Sequence, residues 1–236
     1  MTVTEQATEP IIDRATVARV TLLAVALGAT AAAAAVGGLM WPEPAGGGET
    51  YSYADIAPGR QLWWGLLGGL AVIGLINIPL QAIATMMLVR KRGSAWATVG
   101  GCLMWVGIAM QATGVAGWAS AYFYATDPGL ERRIGGAVIE AANNDQAHLF
   151  AFLVPGALLV VIGTILQCVG LFRAHVVPVW VPIALLFTVL TFIVPGNGAL
   201  GLVTSVPMAA GAIGLGYYVW QRQGHRLTNE GATRYA

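Results

Sequence analysis

Asp145 and His148 stand three residues apart, a spacing that on a helix puts both side chains on one face within hydrogen-bonding reach. A carboxylate that orients an imidazole is the smallest unit of general acid–base catalysis. Glu140 supplies a second carboxyl, Asn143 and Asn144 lie between, and Trp118, Tyr122 and Tyr124 close the apolar block that precedes them. Read as an enzyme, the chain would use Glu140 or Asp145 as the acid and His148 as the base. Trp118 and Tyr122 would then cover a lipid-soluble substrate. The same residues also have a plainer reading. Asn144 and Asp145 suit the first turn of a helix, and Tyr and Trp gather wherever a helix meets the membrane surface.

A second polar set lies within apolar sequence. Asn77 and Gln81 are one turn apart on either side of Pro79; Gln111 and Thr113 follow, then Thr164 and Gln167. Hydrogen bonds between helices account for such residues at about 0.6 kcal/mol each. The alternative is a polar-lined binding site formed by Asn77, Gln81 and Gln111, which would make the protein a small-solute permease.

Absences narrow the chemistry further. No Asp, Glu, Lys or Arg falls in the middle of any apolar block, although ion paths and proton relays are built from such residues. His148 and His175 flank one block at opposite ends, about 40 Å apart at 1.5 Å per helical residue, too far to share an iron. With Cys102 and Cys168 as the only cysteines, iron–sulfur and zinc-finger sites are excluded, and no metal or cofactor is expected. The two thiols fall at similar depth near the reducing side, where a disulfide is not expected. A net charge of +1 without a basic stripe leaves no nucleic-acid partner.

The elements that carry these residues are dictated by charge placement. Residues 20–42, 61–89, 93–126, 149–172 and 174–221 hold no formally charged side chain. About 20 apolar residues suffice for a helix to cross roughly 30 Å of hydrocarbon. The composition agrees: 57% hydrophobic, 10% charged, mean hydropathy +0.69, against about 25% charged in soluble domains. The last block is too long for one helix, and Pro195-Gly196-Asn197-Gly198 divides it. Six spans result, at 17–41, 62–89, 95–125, 147–172, 176–194 and 198–220. The predicted fold is an all-α, six-helix membrane bundle occupying 14–222, between short tails at 1–13 and 223–236.

Cation placement predicts the orientation. Arg14, Arg19, Arg90, Lys91, Arg92, Arg173, Arg222, Arg226 and Arg234 fall on the side of the termini, while only Arg60, Arg132 and Arg133 fall opposite. Both termini are therefore expected in the cytoplasm. The polar, acid-containing start of the chain is unlike a cleavable signal, so the first helix is expected to remain as an anchor. The first outer loop carries Gly46-Gly47-Gly48, Tyr51 and Tyr53, suited to lying along the interface. In the second, Asp127-Pro128 reads as a helix start, and Leu130, Ile134 and Val138 repeat every four residues opposite Glu131, Arg132 and Arg133. That pattern predicts a short amphipathic helix on the outer surface or lidding the bundle.

Small residues recur along the spans: Gly28, Ala31 to Ala35, Gly37 and Gly38 in the first, Gly65 and Gly69 in the second, Gly107, Gly114 and Gly117 in the third, Gly211 and Gly214 in the sixth. In lipid, such faces are where helices approach closely, either within the chain or toward a partner, with the first helix the foremost docking face. Pro79, Pro155 and Pro207 are expected to bend their helices. Spans one to three show no convincing recurrence in four to six, so no inverted repeat supports a transporter. The leading functional expectation is a non-enzymatic accessory, sensory or assembly subunit in a bacterial plasma membrane. Its partners would be membrane lipids and either a second copy or another membrane protein.

Overall fold

The structure, a computed structural model, describes residues 14–42, 44–45, 50–191 and 198–233, with backbone alone at 14, 198–200 and 223–233. The Gly46-Gly47-Gly48 stretch and most of the Pro195-Gly198 break lie outside the described residues. Among the described residues the chain is all-helical. The elements are α1 (Arg14–Leu39), α2 (Tyr53–Ile56), a 3-10 turn (Ala57–Gly59), α3 (Arg60–Leu88), α4 (Ser94–Ala125), α5 (Arg132–Asn144), α6 (Gln146–Leu149), α7 (Leu153–Ala174), α8 (Trp180–Leu190) and α9 (Gly198–Thr233).

Five of these helices, α1, α3, α4, α7 and α9, are long and apolar enough to cross a membrane, which points to a multi-pass membrane protein. α8 is the exception. Its 11 residues reach only about 16 Å at 1.5 Å per residue. The described residues thus give five membrane-length helices, against the six expected.

The six longer apolar helices close into a ring in chain order: α1 packs on α3, α3 on α4, α4 on α7, α7 on α8, α8 on α9, and α9 back on α1. Neighbours run antiparallel where contacts define it. Gly28 and Gly38 of α1 approach Ile213 and Ser205 of α9 in reversed order, and Asn77 of α3 reaches back to Leu27 and Thr30 of α1.

The tightest seam joins α4 to α7. Gly93, Gly100, Gly107 and Gly114 repeat every seven residues, and so do Gly156, Gly163 and Gly170. They meet in antiparallel register. A Cβ on Gly93 would lie 2.7 Å from Gly170 O, on Gly100 2.6 Å from Gly163 O, on Gly107 2.7 Å from Gly156 O, and on Gly114 2.6 Å from Leu153 N. No side chain fits between backbones this close, so glycine is required at each level. Gly93 has a second reason: its φ of 89° in the α3–α4 turn lies in the left-handed region.

Several boundaries differ from the sequence expectation. Span four does not open at 147. His148 sits in the separate turn α6, and α7 begins at Leu153. Pro155 is therefore in the first turn of α7, where its missing N–H costs no internal bond, and it does not interrupt the helix. Pro79 and Pro207 do lie inside α3 and α9. Asp127-Pro128 does not start the amphipathic helix, because Asp127 is engaged elsewhere; α5 starts at Arg132, four residues past Pro128. The tail expected from 223 is helical through Thr233.

Candidate functional site

At the end of the bundle opposite Arg90–Arg92, aromatic residues from four stretches of chain converge. Trp63 of α3 lies 4.6 Å from Tyr51, 5.3 Å edge-on from Trp118 of α4, 6.1 Å from Trp41 and 6.3 Å from Tyr122, measured between ring centroids. Phe150 stands edge-on to Trp118 at 5.5 Å. Such offset and edge-on pairs add about 0.5–1.5 kcal/mol each beyond area burial. Of the residues singled out by sequence, Trp118 and Tyr122 are brought together here and buried.

Hydrogen bonds lock the cluster. The Trp41 indole N–H donates to the Tyr51 hydroxyl at 2.8 Å, which donates to Pro42 O at 2.7 Å. The Tyr122 hydroxyl donates to Asn143 Oδ1, and the Asn143 amide donates to Tyr51 O at 3.0 Å. Asn143 thus ties α5 to both the first outer loop and α4. Ile139 is buried beneath the same helix, and a Cβ on Gly135 would clash with Ala125 O, so α5 is pressed onto the bundle end as a lid. Ile134 and Val138, expected on its apolar face, are exposed.

Beside the cluster, Arg60 anchors the mouth between α3 and α4. Its guanidinium donates to Asp127 Oδ2 at 3.1 Å and Phe123 O at 3.0 Å, and lies 4.0 Å over the Phe123 ring. Asp127 also accepts from Gly129 N at 2.8 Å. That backbone bond, and then Arg60, hold its carboxyl below the usual carboxylate range.

Glu140, Asp145 and His148 are not brought into this cluster. The Asp145–His148 contact expected from the spacing is present, with His148 Nδ1 2.8 Å from each carboxylate oxygen. Both side chains are open to solvent, 58% and 88% exposed respectively, and Glu140 is exposed as well. The hydrogen bond from His148 lowers the Asp145 pKa, and the Asp145 carboxylate raises that of His148. Chemically the arrangement is a proton-binding pair, set apart from the buried aromatic cluster. The sign of the linkage follows from the two shifts. The His148 contribution is complete below its ordinary pKa and lost as pH rises through the raised value. The Asp145 contribution is complete above its ordinary pKa and lost as pH falls through the lowered one. In a ring-proton NMR titration, His148 should show a pKa above 6.5, and Asp145→Asn should return it toward that ordinary value. An unchanged His148 titration in the variant would break the pairing.

The deeper polar residues are spread among different helix contacts. Asn77 Nδ2 donates to Leu27 O at 3.2 Å and Thr30 Oγ1 at 2.9 Å, tying α3 to α1. Gln167 Nε2 donates to Ala82 O and Ala97 O, both at 3.3 Å, tying α7 to α3 and α4. Gln81 is buried with no partner on Nε2, and Gln111 has none on Oε1. The Asn77 amide thus bonds to α1. Cys168 is buried against Pro182 O, and Cys102 is exposed.

Sequence reasoning passed over Trp41, Tyr51 and Trp63 as a unit, because they lie in separate stretches with no shared spacing. The glycine seam was detectable, since a seven-residue glycine repeat appears in both α4 and α7. No protein-family model matches this chain, and no curated protein or solved structure matches it either.

Proposed function

We propose that this protein crosses a bacterial plasma membrane six times, with both termini on the basic cytoplasmic side. It acts there as a non-enzymatic assembly subunit that receives a partner transmembrane helix on the outer half of α3. The charge asymmetry supports the orientation. Among the described side chains every acid (Asp55, Asp127, Glu131, Glu140, Asp145) lies at the aromatic end, while Arg19, Arg90, Lys91, Arg92, Arg173 and Arg222 lie at the other. For the sixth crossing, α8 is the part that falls among the described residues.

One observation carries the docking reading. Gly65 and Gly69 form a small-xxx-small step on the exposed face of α3, and a Cβ on either would meet nothing within 4 Å. Leu62, Val72 and Ile76 continue that face at alternating three- and four-residue steps and are all exposed. By contrast, the glycines of α1 are used inside the bundle, against Leu70, Ser205 and Ile213. The exposed face of α7 is bulky, with Val154, Leu158, Ile162 and Ile165. A bulky face suits lipid chains, whereas a glycine step leaves a groove that a second helix fills.

The test is Gly65→Leu with Gly69→Leu in the full chain, solubilised from its native membrane in mild detergent. The variant should lose the stoichiometric partner, a second copy or another subunit, that co-purifies with the wild type. Its unfolding should stay within about 0.5 kcal/mol of wild type, since nothing is displaced. Retention of the partner, or a wild-type protein that purifies alone, would remove the docking role. Loss of a measured turnover on Asp145→Ala with His148→Ala would favour an enzyme instead.

A further inference from the structure

The arginine-bearing end of the bundle holds a groove of about 590 Å3 between the α7–α8 connection and the Tyr218–Arg222 turn of α9, lined by His175, Val176, Val177, Pro178, Tyr218 and Arg222 with Gln221. Its lining joins apolar surface from Val176, Val177, Pro178 and Tyr218 to the polar side chains of Arg222, Gln221 and His175. His175 Nδ1 lies 3.3 Å from Arg173 O, so that nitrogen donates. His175 caps the end of α7 with φ 51°, in the left-handed region that histidine enters more readily than most residues with a Cβ. Arg222 has no ion-pair partner among the described residues. α8 begins two residues after Pro178, which turns its positive end toward this side.

Among the described side chains, no carboxylate lies at this end to neutralise these cations. Exposed Tyr217, Trp220 and Trp180 mark the level at which aromatic rings meet the headgroup region. A ligand that fits must bring a compact anion to Arg222 and an apolar portion to Val176, Val177 and Pro178. We infer that the groove binds the headgroup phosphate of an anionic phospholipid from the leaflet on the basic side, with the upper acyl chain along Val176, Val177 and Pro178. Arg222 holds the phosphate as a charge-assisted donor, the Gln221 amide adds a neutral N–H donor, and Tyr218 covers the glycerol region. This site is independent of the α3 docking face, at the other end of the bundle.

The full-length protein in phosphate-free, neutral detergent micelles provides the test. Phosphatidylglycerol, phosphatidylcholine and inorganic phosphate are titrated separately, reading the thermal midpoint by tryptophan fluorescence and bound lipid by native mass spectrometry. Phosphatidylglycerol should raise the midpoint and remain bound; phosphatidylcholine and inorganic phosphate should do neither. Arg222→Gln should weaken the apparent phosphatidylglycerol affinity about fivefold, Arg222→Lys should retain most of it, and Arg90→Gln, outside the groove, should bind as wild type. Val177→Trp, which fills the groove and leaves the charges in place, should also block retention, so the result does not hang on one variant's folding. Equal losses in Arg90→Gln and Arg222→Gln would mean diffuse surface charge and overturn the site. So would wild-type binding by Arg222→Gln, or an equal effect of inorganic phosphate.

Discussion

Gly163→Ala is expected to destabilise the bundle by about 1–3 kcal/mol, and Gly163→Leu by more, although both introduce better helix formers. The added Cβ would stand 2.6 Å from Gly100 O, 2.6 Å from Met104 Cγ and 2.9 Å from Met104 N. Two of those atoms are backbone and cannot swing aside, so α4 and α7 must separate. Separation also stretches the 3.3 Å bonds from Gln167 to Ala82 O and Ala97 O, which depend on the same close approach. The measurement is unfolding in detergent with increasing denaturant, followed by tryptophan fluorescence. Gly65→Ala is the matched control: its Cβ meets nothing, and helix propensity alone should leave it unchanged or better by up to about 1 kcal/mol. If the two variants unfolded together, the seam would not be held by glycine.

Trp63→Ala should have the second large effect, about 3–5 kcal/mol, the usual cost of deleting a buried large aromatic. Trp63 is 4% exposed and touches Trp41, Tyr51, Trp118 and Tyr122. Its removal opens the centre of the cap on which the first outer loop and α5 rest. The local consequence should be proteolytic cleavage within 126–146 under conditions where wild type resists. Trp63→Phe should cost under about 1.5 kcal/mol, because the Trp63 Nε1 has no hydrogen-bond partner to lose. Tyr122→Phe falls between, since it leaves Asn143 Oδ1 without its donor, at about 1–3 kcal/mol. Equal effects for Trp63→Ala and Trp63→Phe would show that the ring is not packed as described.

The candidate acid–base residues illustrate how far local spacing reaches. Asp145 and His148 are three apart and do meet, because a single helical turn sets that distance without help from the rest of the fold. The same spacing placed them at the start of a spanning helix, and there it failed. Gly135 and Ile139 press α5 under the end of α4, and Asn143 is held by Tyr122 and Tyr51. The chain therefore stays on the surface through Asn144 and turns once more in α6 before α7 descends. Asp127 misled in a similar way. Its carboxylate looked like a helix cap and is instead taken by Gly129 N and Arg60, the latter 67 positions away in sequence.

What the sequence determined alone is whatever depends on the solvent: charge-free blocks of membrane length become helices because backbone polar groups in hydrocarbon must be satisfied within their own segment. That accounts for α1, α3, α4, α7 and α9. Only the tertiary structure decided which faces meet. It set the register of the α4 and α7 glycines, the gathering of Trp41, Tyr51, Trp63 and Trp118, and the open Gly65 and Gly69 step on α3. In an apolar medium one hydrophobic face is as well solvated as another. Close approach and shape choose the partner, and those depend on residues far apart along the chain.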